Sequence, residues 1–160
     1  MNIGCVPYLN AKPLIRGLDS DPAVRLTLLP PSKLSPLLLD GRLDAALLPS
    51  FEVIRLELKH VPGITIASPG EAASVLLHLK KGLADVKTVA LDRNSRTTNA
   101  LARILLERRY GLKPGYVTHD PSDGSFRKNR RIDAAVTIGD ASFRDYGFPA
   151  LDLGAAWKSF

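Results

Sequence analysis

The 160-residue chain holds one cysteine (Cys5), one methionine, one tryptophan and three histidines. A single cysteine excludes an internal disulfide framework. Its place in an apolar, strand-like run assigns Cys5 to packing, as a small buried thiol. His60, His78 and His119 are scattered, away from the predicted strand ends, with no i, i+4 pair and no cysteine nearby. Ligand spacing therefore gives no support to a metal site, and none is expected. No apolar run approaches the roughly 20 residues a membrane span needs. The N-terminus opens on strand-like sequence rather than on a basic start and an apolar stretch, so a soluble cytoplasmic protein without a membrane partner is expected. Acidic residues are outnumbered, 16 against 22 Lys and Arg, leaving a net charge of +6 that favours acidic partners. The densest basic run, Arg127-Lys128-Asn129-Arg130-Arg131, has no interleaved aromatics. It reads as a solvated loop or helix end rather than a nucleic-acid site.

What is present is an internal repeat. Arg42-Leu43-Asp44-Ala45-Ala46-Leu47 returns in the second half as Arg131-Ile132-Asp133-Ala134-Ala135-Val136, and each copy runs into a polar turn, Pro49-Ser50 or Gly139-Asp140. Each copy also follows a matched strand, turn and helix start, at residues 3–10 and 89–95. Two similar α/β lobes facing one another make a cleft suited to a small ligand. Strands are expected at 2–7, 24–29, 44–48, 64–67, 74–79, 86–91, 116–119 and 134–138. Asn10 is expected to cap a helix ending near Gly17, Ser35-Pro36 to cap the next, and Pro49-Ser50 to open a third. Ser95 caps the strongest predicted helix, with Leu101, Ile104 and Leu105 on its inner face and Gly111 as its stop. This alternation implies largely parallel sheets. Lobe one is assigned to residues 1–84 and lobe two to residues 85–160, with the start of a return crossing.

Asn10, Ser50, Ser95, Thr97, Thr98 and Asp140 all fall just beyond predicted strand ends, the binding edge of a parallel α/β sheet. Helix N-termini there favour carboxylates or phosphates. Arg96 stands in a helix first turn, where the dipole disfavours a cation, and this points to a bound anion. Singly, Asn10, Ser50 and Ser95 read as caps; their joint placement with Arg96 reads as a site. No Ser-His-Asp or Lys-based arrangement accompanies them, so the residues alone describe a binding module.

Gly4-Cys5-Val6-Pro7-Tyr8-Leu9-Asn10-Ala11-Lys12-Pro13-Leu14 resembles the opening signature of the chorismate dehydratase family, which serves the futalosine route to menaquinone. Leu48-Pro49-Ser50-Phe51-Glu52, Ala73-Ser74-Val75, Ser95-Arg96-Thr97-Thr98, Ile138-Gly139-Asp140 and Leu151-Asp152-Leu153-Gly154 continue the resemblance in order along the chain. It implies a two-lobed α/β fold like that of type 2 solute-binding proteins. It also implies loss of water from chorismate, a dicarboxylate, to give 3-(1-carboxyvinyloxy)benzoate with no cofactor. In that family's scheme Asn10 and Ser74 act catalytically at the reacting end of the substrate, while Tyr8, Ser50, Ser95, Arg96, Thr97, Thr98 and Asp140 bind it. The enolpyruvyl carboxylate of the substrate takes the proton. Members of the family continue past the position of Phe160, so the first lobe is expected to be incomplete and the activity of these 160 residues to be weak or absent. A non-catalytic carboxylate-binding module and the naphthoate synthase of the same pathway are the competing readings.

Overall fold

The computed structural model describes residues 1–160. Its contacts divide the chain into two compact units, Met1–Ala67 and Ser68–Phe160. In the first, β1 (Asn2–Cys5) lies between β2 (Arg25–Leu28) and β3 (Ala45–Ala46), all parallel. Helices α1 (Lys12–Ile15), α2 (Pro31–Leu39) and α3 (Ser50–Arg55) follow the three strands in turn. Cys5, Val6, Ala11, Leu34 and Leu43 form the buried core. Gly4 belongs at the centre of β1 because a Cβ there would stand 2.7 Å from Leu43 Cδ1 and 2.8 Å from Leu34 Cδ2. Cys5 is buried and unpaired, and burial pushes its thiol pKa up.

The second unit has a five-stranded sheet, in the order β6 (Gly115–His119), β5 (Thr88–Asp92), β7 (Ala134–Ile138), β4 (Val75–Leu79), β8 (Ala150–Asp152). Its first three strands repeat the arrangement of unit one: the opening strand in the middle, the second on one side and the repeat strand on the other. Beyond them β4 pairs antiparallel with both β7 and β8, so the sheet is mixed rather than largely parallel. One face is covered by α4 (Arg96–Ile104), its π-helical extension Leu105–Arg109, and α5 (Leu153–Lys158), around Leu77, Val89, Leu91, Leu105, Val136 and Leu153. The other face is covered by short 3-10 turns and loops, which bring Phe126 and Tyr146 onto Ala90 and Ala135.

The repeat has a common physical role. Asp44, one residue before β3, accepts a hydrogen bond from the backbone N–H of Asn2 at 2.7 Å. Its counterpart Asp133, just before β7, accepts from the N–H groups of Lys87 and Thr88, both at 3.0 Å. Each carboxylate ties the start of the repeat strand to the start of its unit's central strand. The hydrophobic residue before it, Leu43 or Ile132, is buried in both copies.

Several expectations are corrected. The 1–84 and 85–160 assignment gives way to a division at Ala67, because the strand at Val75–Leu79 pairs with β7 and β8, in the second unit. β8 and α5 belong to the second unit. Residues 64–67 form no strand, since an extended segment needs a ladder partner and they have none. Asn10 does not cap a helix: a 3-10 turn, Leu9–Ala11, contains it, and α1 lasts one turn before Gly17 takes φ +84°. Ser35-Pro36 lies inside α2, which starts a turn earlier because Pro31 follows extended Pro30 and occupies N1. Ser35 Oγ donates back to the carbonyl of Pro31 at 3.2 Å. On α4 the inner face is Thr98, Ala102, Leu105 and Leu106, while Ile104 is turned outward, the register being carried inward through the π turn.

Candidate functional site

In each unit the loops beyond the carboxyl ends of the parallel strands carry the residues singled out from sequence. In unit one, β1 leads into Tyr8 and Asn10 and β3 leads into Ser50, at the amino end of α3. All three residues are exposed.

In unit two the same edge collects the ends of all five strands. β5 ends at Asp92 and feeds α4. β6 ends at His119, directly opposite Asp92 in the parallel register. β7 ends at Ile138 opposite Val75, so Ser74 reaches this edge because β4 runs antiparallel. The edge thus gathers Ser74, Ser95, Arg96, Thr97, Thr98 and Asp140.

The amino end of α4 is held from below. Ser95 Oγ accepts from the N–H of Thr98 at 3.2 Å and donates to Thr98 Oγ1 at 2.8 Å, which satisfies one helix-end amide and turns Thr98 inward, where it is buried. Arg96 is exposed in the first turn, which has no acidic residue. Asp92 Oδ1 accepts from Asn94 N–H at 2.8 Å, and Asn99 Nδ2 donates to the Asp92 carbonyl at 2.7 Å. The loop that delivers Ser95 and Arg96 is fixed at both ends by these bonds.

Sequence reasoning did not single out Asp92, Asn99 or His119 as site residues. His119 was grouped with the histidines away from strand ends although the expected strand 116–119 ends on it; it closes β6, buried against the ring of Phe126 with ring centroids 5.5 Å apart. β6 begins one residue earlier than expected, at Gly115, and its last residue pairs with Asp92 in the ladder with β5. Its Nε2 donates to the carbonyl of Val136 at 2.8 Å, which leaves Nδ1 without a partner. Asp92 Oδ2 and Asn99 Oδ1 are likewise buried without partners. Burial raises the Asp92 pKa, more than the Asn94 amide and the nearby imidazole lower it. Asp92, fully buried, and half-buried Asn99 support the helix start.

Ser74 is positioned by a different device. Asp152 accepts from the N–H groups of Ala72 at 3.0 Å and Ala73 at 2.8 Å, and from Ala155 N–H at 2.9 Å as the cap of α5. Burial acts to raise the Asp152 pKa, but the amides of Ala155, Ala72, Ala73 and Gly154 together hold it below the ordinary carboxylate value. Ala73 adopts φ +51°, an uncommon conformation for a residue with a Cβ. The carbonyl of Ser74 then accepts from Gly139 N–H at 3.0 Å, which joins this turn to the Gly139-Asp140 turn. A Cβ on Gly154 would lie 2.5 Å from the Gly70 carbonyl oxygen and 3.0 Å from Ala72 Cβ, so only glycine lets α5 approach. Gly154→Ala is expected to cost about 1 to 3 kcal/mol and to displace the turn that bears Ser74. Thermal denaturation and the amide shifts of Ala72–Ser74 check this; an unchanged midpoint with unchanged shifts would show that the contact is slack. The signal for Asp152 was in the sequence, as an acid three residues before Ala155 at the end of a short strand.

The remaining histidines do not form a metal-ligand group. His78 is buried in β4 with Nε2 3.0 Å from Thr137 Oγ1, and Thr137 Oγ1 lies 3.0 Å from Ser142 Oγ. Desolvation lowers the His78 pKa, so the ring is neutral near neutrality. No helix is long and apolar enough to cross a membrane.

Residues 1–160 match the protein family described as menaquinone biosynthesis. The chorismate dehydratase of Thermus thermophilus is 29% identical over 146 residues, which are 90% of this chain and 52% of that protein. The chain thus spans about half the length of the curated relative it matches. Among solved structures, protein AF1704 of Archaeoglobus fulgidus superposes with a TM-score of 0.65 at 15% identity, over 99% of this chain and 62% of that one. An ABC transporter protein of Parabacteroides distasonis superposes with a TM-score of 0.54 at 17% identity, over 96% of this chain and 59% of that one. These structural likenesses establish the fold: α/β, of the solute-binding-protein kind.

Proposed function

Because this chain belongs to the menaquinone biosynthesis family, we propose that it acts in the cytoplasm on chorismate, removing water to give 3-(1-carboxyvinyloxy)benzoate. The observation that carries this reading is the amino end of α4 at the sheet edge. A capped helix start and an exposed Arg96 stand there on a loop fixed by Asp92 and Asn99. That arrangement suits a carboxylate better than any neutral group.

The proton lost is vinylogous to the ring carboxylate, so negative charge flows toward that carboxylate as the carbon–hydrogen bond breaks. Ser95, Arg96 and Thr97 stabilise it there. The hydroxyl leaves with its bonding electrons and departs as water once the enolpyruvyl carboxylate hands it the abstracted proton, and the ring becomes aromatic. The enolpyruvyl carboxylate of the substrate is the group that takes the proton. Asn10 and Ser74 hold the reacting end, and Tyr8, Ser50, Thr98 and Asp140 complete the surroundings of the substrate, Thr98 by fixing Ser95. Incubation of the purified chain with chorismate, followed by mass and ultraviolet absorbance, tests the reaction. Absence of the aromatic enol ether, with saturable binding of chorismate, would instead support a carboxylate-binding module.

Arg96→Lys is expected to weaken chorismate binding about tenfold, because a planar fork that forms paired charge-assisted bonds is replaced by a point charge. Calorimetric titration of both proteins measures it. Equal affinity would remove Arg96 from the site.

A further inference from the structure

The basic run read from sequence as a solvated loop is built into a cavity. The segments 120–131 and 139–149 both cross the second face of the five-stranded sheet, and between them lies a cavity of about 580 Å³. Its lining includes Arg127, Lys128, Arg144, Tyr146 and Phe148. The walls are pinned: Lys80 Nζ donates to the carbonyls of Phe126 at 3.1 Å and Asn129 at 2.8 Å, and Arg144 donates to the carbonyl of Ser122 at 2.7 Å. Tyr146 lines the cavity, and its ring packs on that of buried Phe126 beneath it, the centroids 4.8 Å apart.

Charge in this cavity is unbalanced. Asp123 and Asp145 also line it, but Asp123 Oδ1 accepts from Ser125 N–H at 2.8 Å and Asp145 Oδ1 from Gly147 N–H at 2.7 Å. Both carboxylates are held by their own backbone turns and keep their charge, the Ser125 hydrogen bonds lowering the Asp123 pKa, so three cations against two carboxylates leave the lining at a net +1. Arg127, Lys128 and Arg144 form no ion pair, the three salt bridges of the chain lying elsewhere. A surplus of cations around one concavity, on walls held by side-chain bonds while the carboxylates are turned to their own backbone, suits an oxyanion.

We propose that this cavity is a second anion site, distinct from the sheet edge, which binds a small ligand bearing a phosphate or paired carboxylates. Arg127 and Lys128 supply most of the charge, and Arg144 joins while it holds the two walls together. The inference does not depend on the reaction proposed above, since no residue is shared between the two sites.

Titration of the full chain with pyrophosphate and, separately, citrate, at constant ionic strength, tests this by amide chemical shifts. Saturable shifts centred on Gly124, Lys128 and Gly147 are expected, and the tighter of the two probes tells phosphate from carboxylate. The pair Arg127→Gln with Lys128→Gln should weaken binding about tenfold or more. The pair Arg130→Gln with Arg131→Gln, which removes the same charge from adjacent exposed positions outside the lining, should leave it unchanged. Equal loss in both pairs would mean that only net charge is sensed and would overturn the site. So would shifts that fail to saturate or that centre on Ser95.

Discussion

Asn10→Asp is expected to lower the rate of chorismate dehydration by about a hundredfold or more while the fold persists. Asn10 lies exposed in a 3-10 turn and its side chain caps neither that turn nor α1, so the exchange of an amide for a carboxylate disturbs no internal bond. What changes is the charge presented to a ligand that carries two carboxylates, and in a partly desolvated site such like charges repel strongly. Turnover measured beside an unchanged thermal midpoint checks it. Equal rates in the two proteins, in preparations that are active, would exclude Asn10 from the site. A lost midpoint would show instead that the residue is structural.

The second large effect concerns folding. Asp133→Ala should destabilise the second unit by about 2 to 4 kcal/mol, since it strands two backbone N–H groups at the start of β5 and removes the partner of Lys81. The Lys81 Nζ to Asp133 Oδ1 distance is 2.6 Å. The repeat supplies an internal control: Asp44→Ala, which releases a single amide near exposed Asn2, should cost about 1 kcal/mol or less. Lys81, followed by the amides of Lys87 and Thr88, overcomes desolvation and depresses the Asp133 pKa. A depressed carboxylate contributes its full stability above the unfolded value, near about 4, and loses it as pH falls through the lower folded value. Denaturant midpoints of the parent should therefore drop below about pH 4, and those of Asp133→Asn should drop less. Parallel acid profiles, or equal losses for Asp44→Ala and Asp133→Ala, would contradict the assignment.

The pattern of residues was sufficient to find the repeat, the strands β1 and β5 at the centre of each unit's parallel set and the helix capped by Ser95, because each rests on local chemistry. An Asp before two alanines, a Ser three residues before Thr98, and Gly111 at φ +66° act within a few positions of themselves. The same locality placed Asn10, Ser50, Ser95 and Asp140 beyond strand ends. The start of α2 was missed although its signal is local, because Pro30-Pro31 and Ser35-Pro36 compete there and the earlier one sets N1. Strand direction and membership were beyond sequence reasoning. The run 74–79 reads as an extended apolar segment whichever sheet it joins. Only its ladder with β7 and β8 sends it into the second unit, reverses it and carries Ser74 to the binding edge. Asp152 gained its role in the same way, through the amides of Ala72 and Ala73, which are remote in the chain. The basic run 127–131 was legible as charge, but its place beside Arg144, Tyr146 and Phe148 came from two loops crossing one sheet face. Capping, turn conformation and periodicity are decided over a few bonds, so the sequence determined them. Pairing, burial and the convergence of charges depend on which distant segments share a surface, and only the tertiary structure decided those.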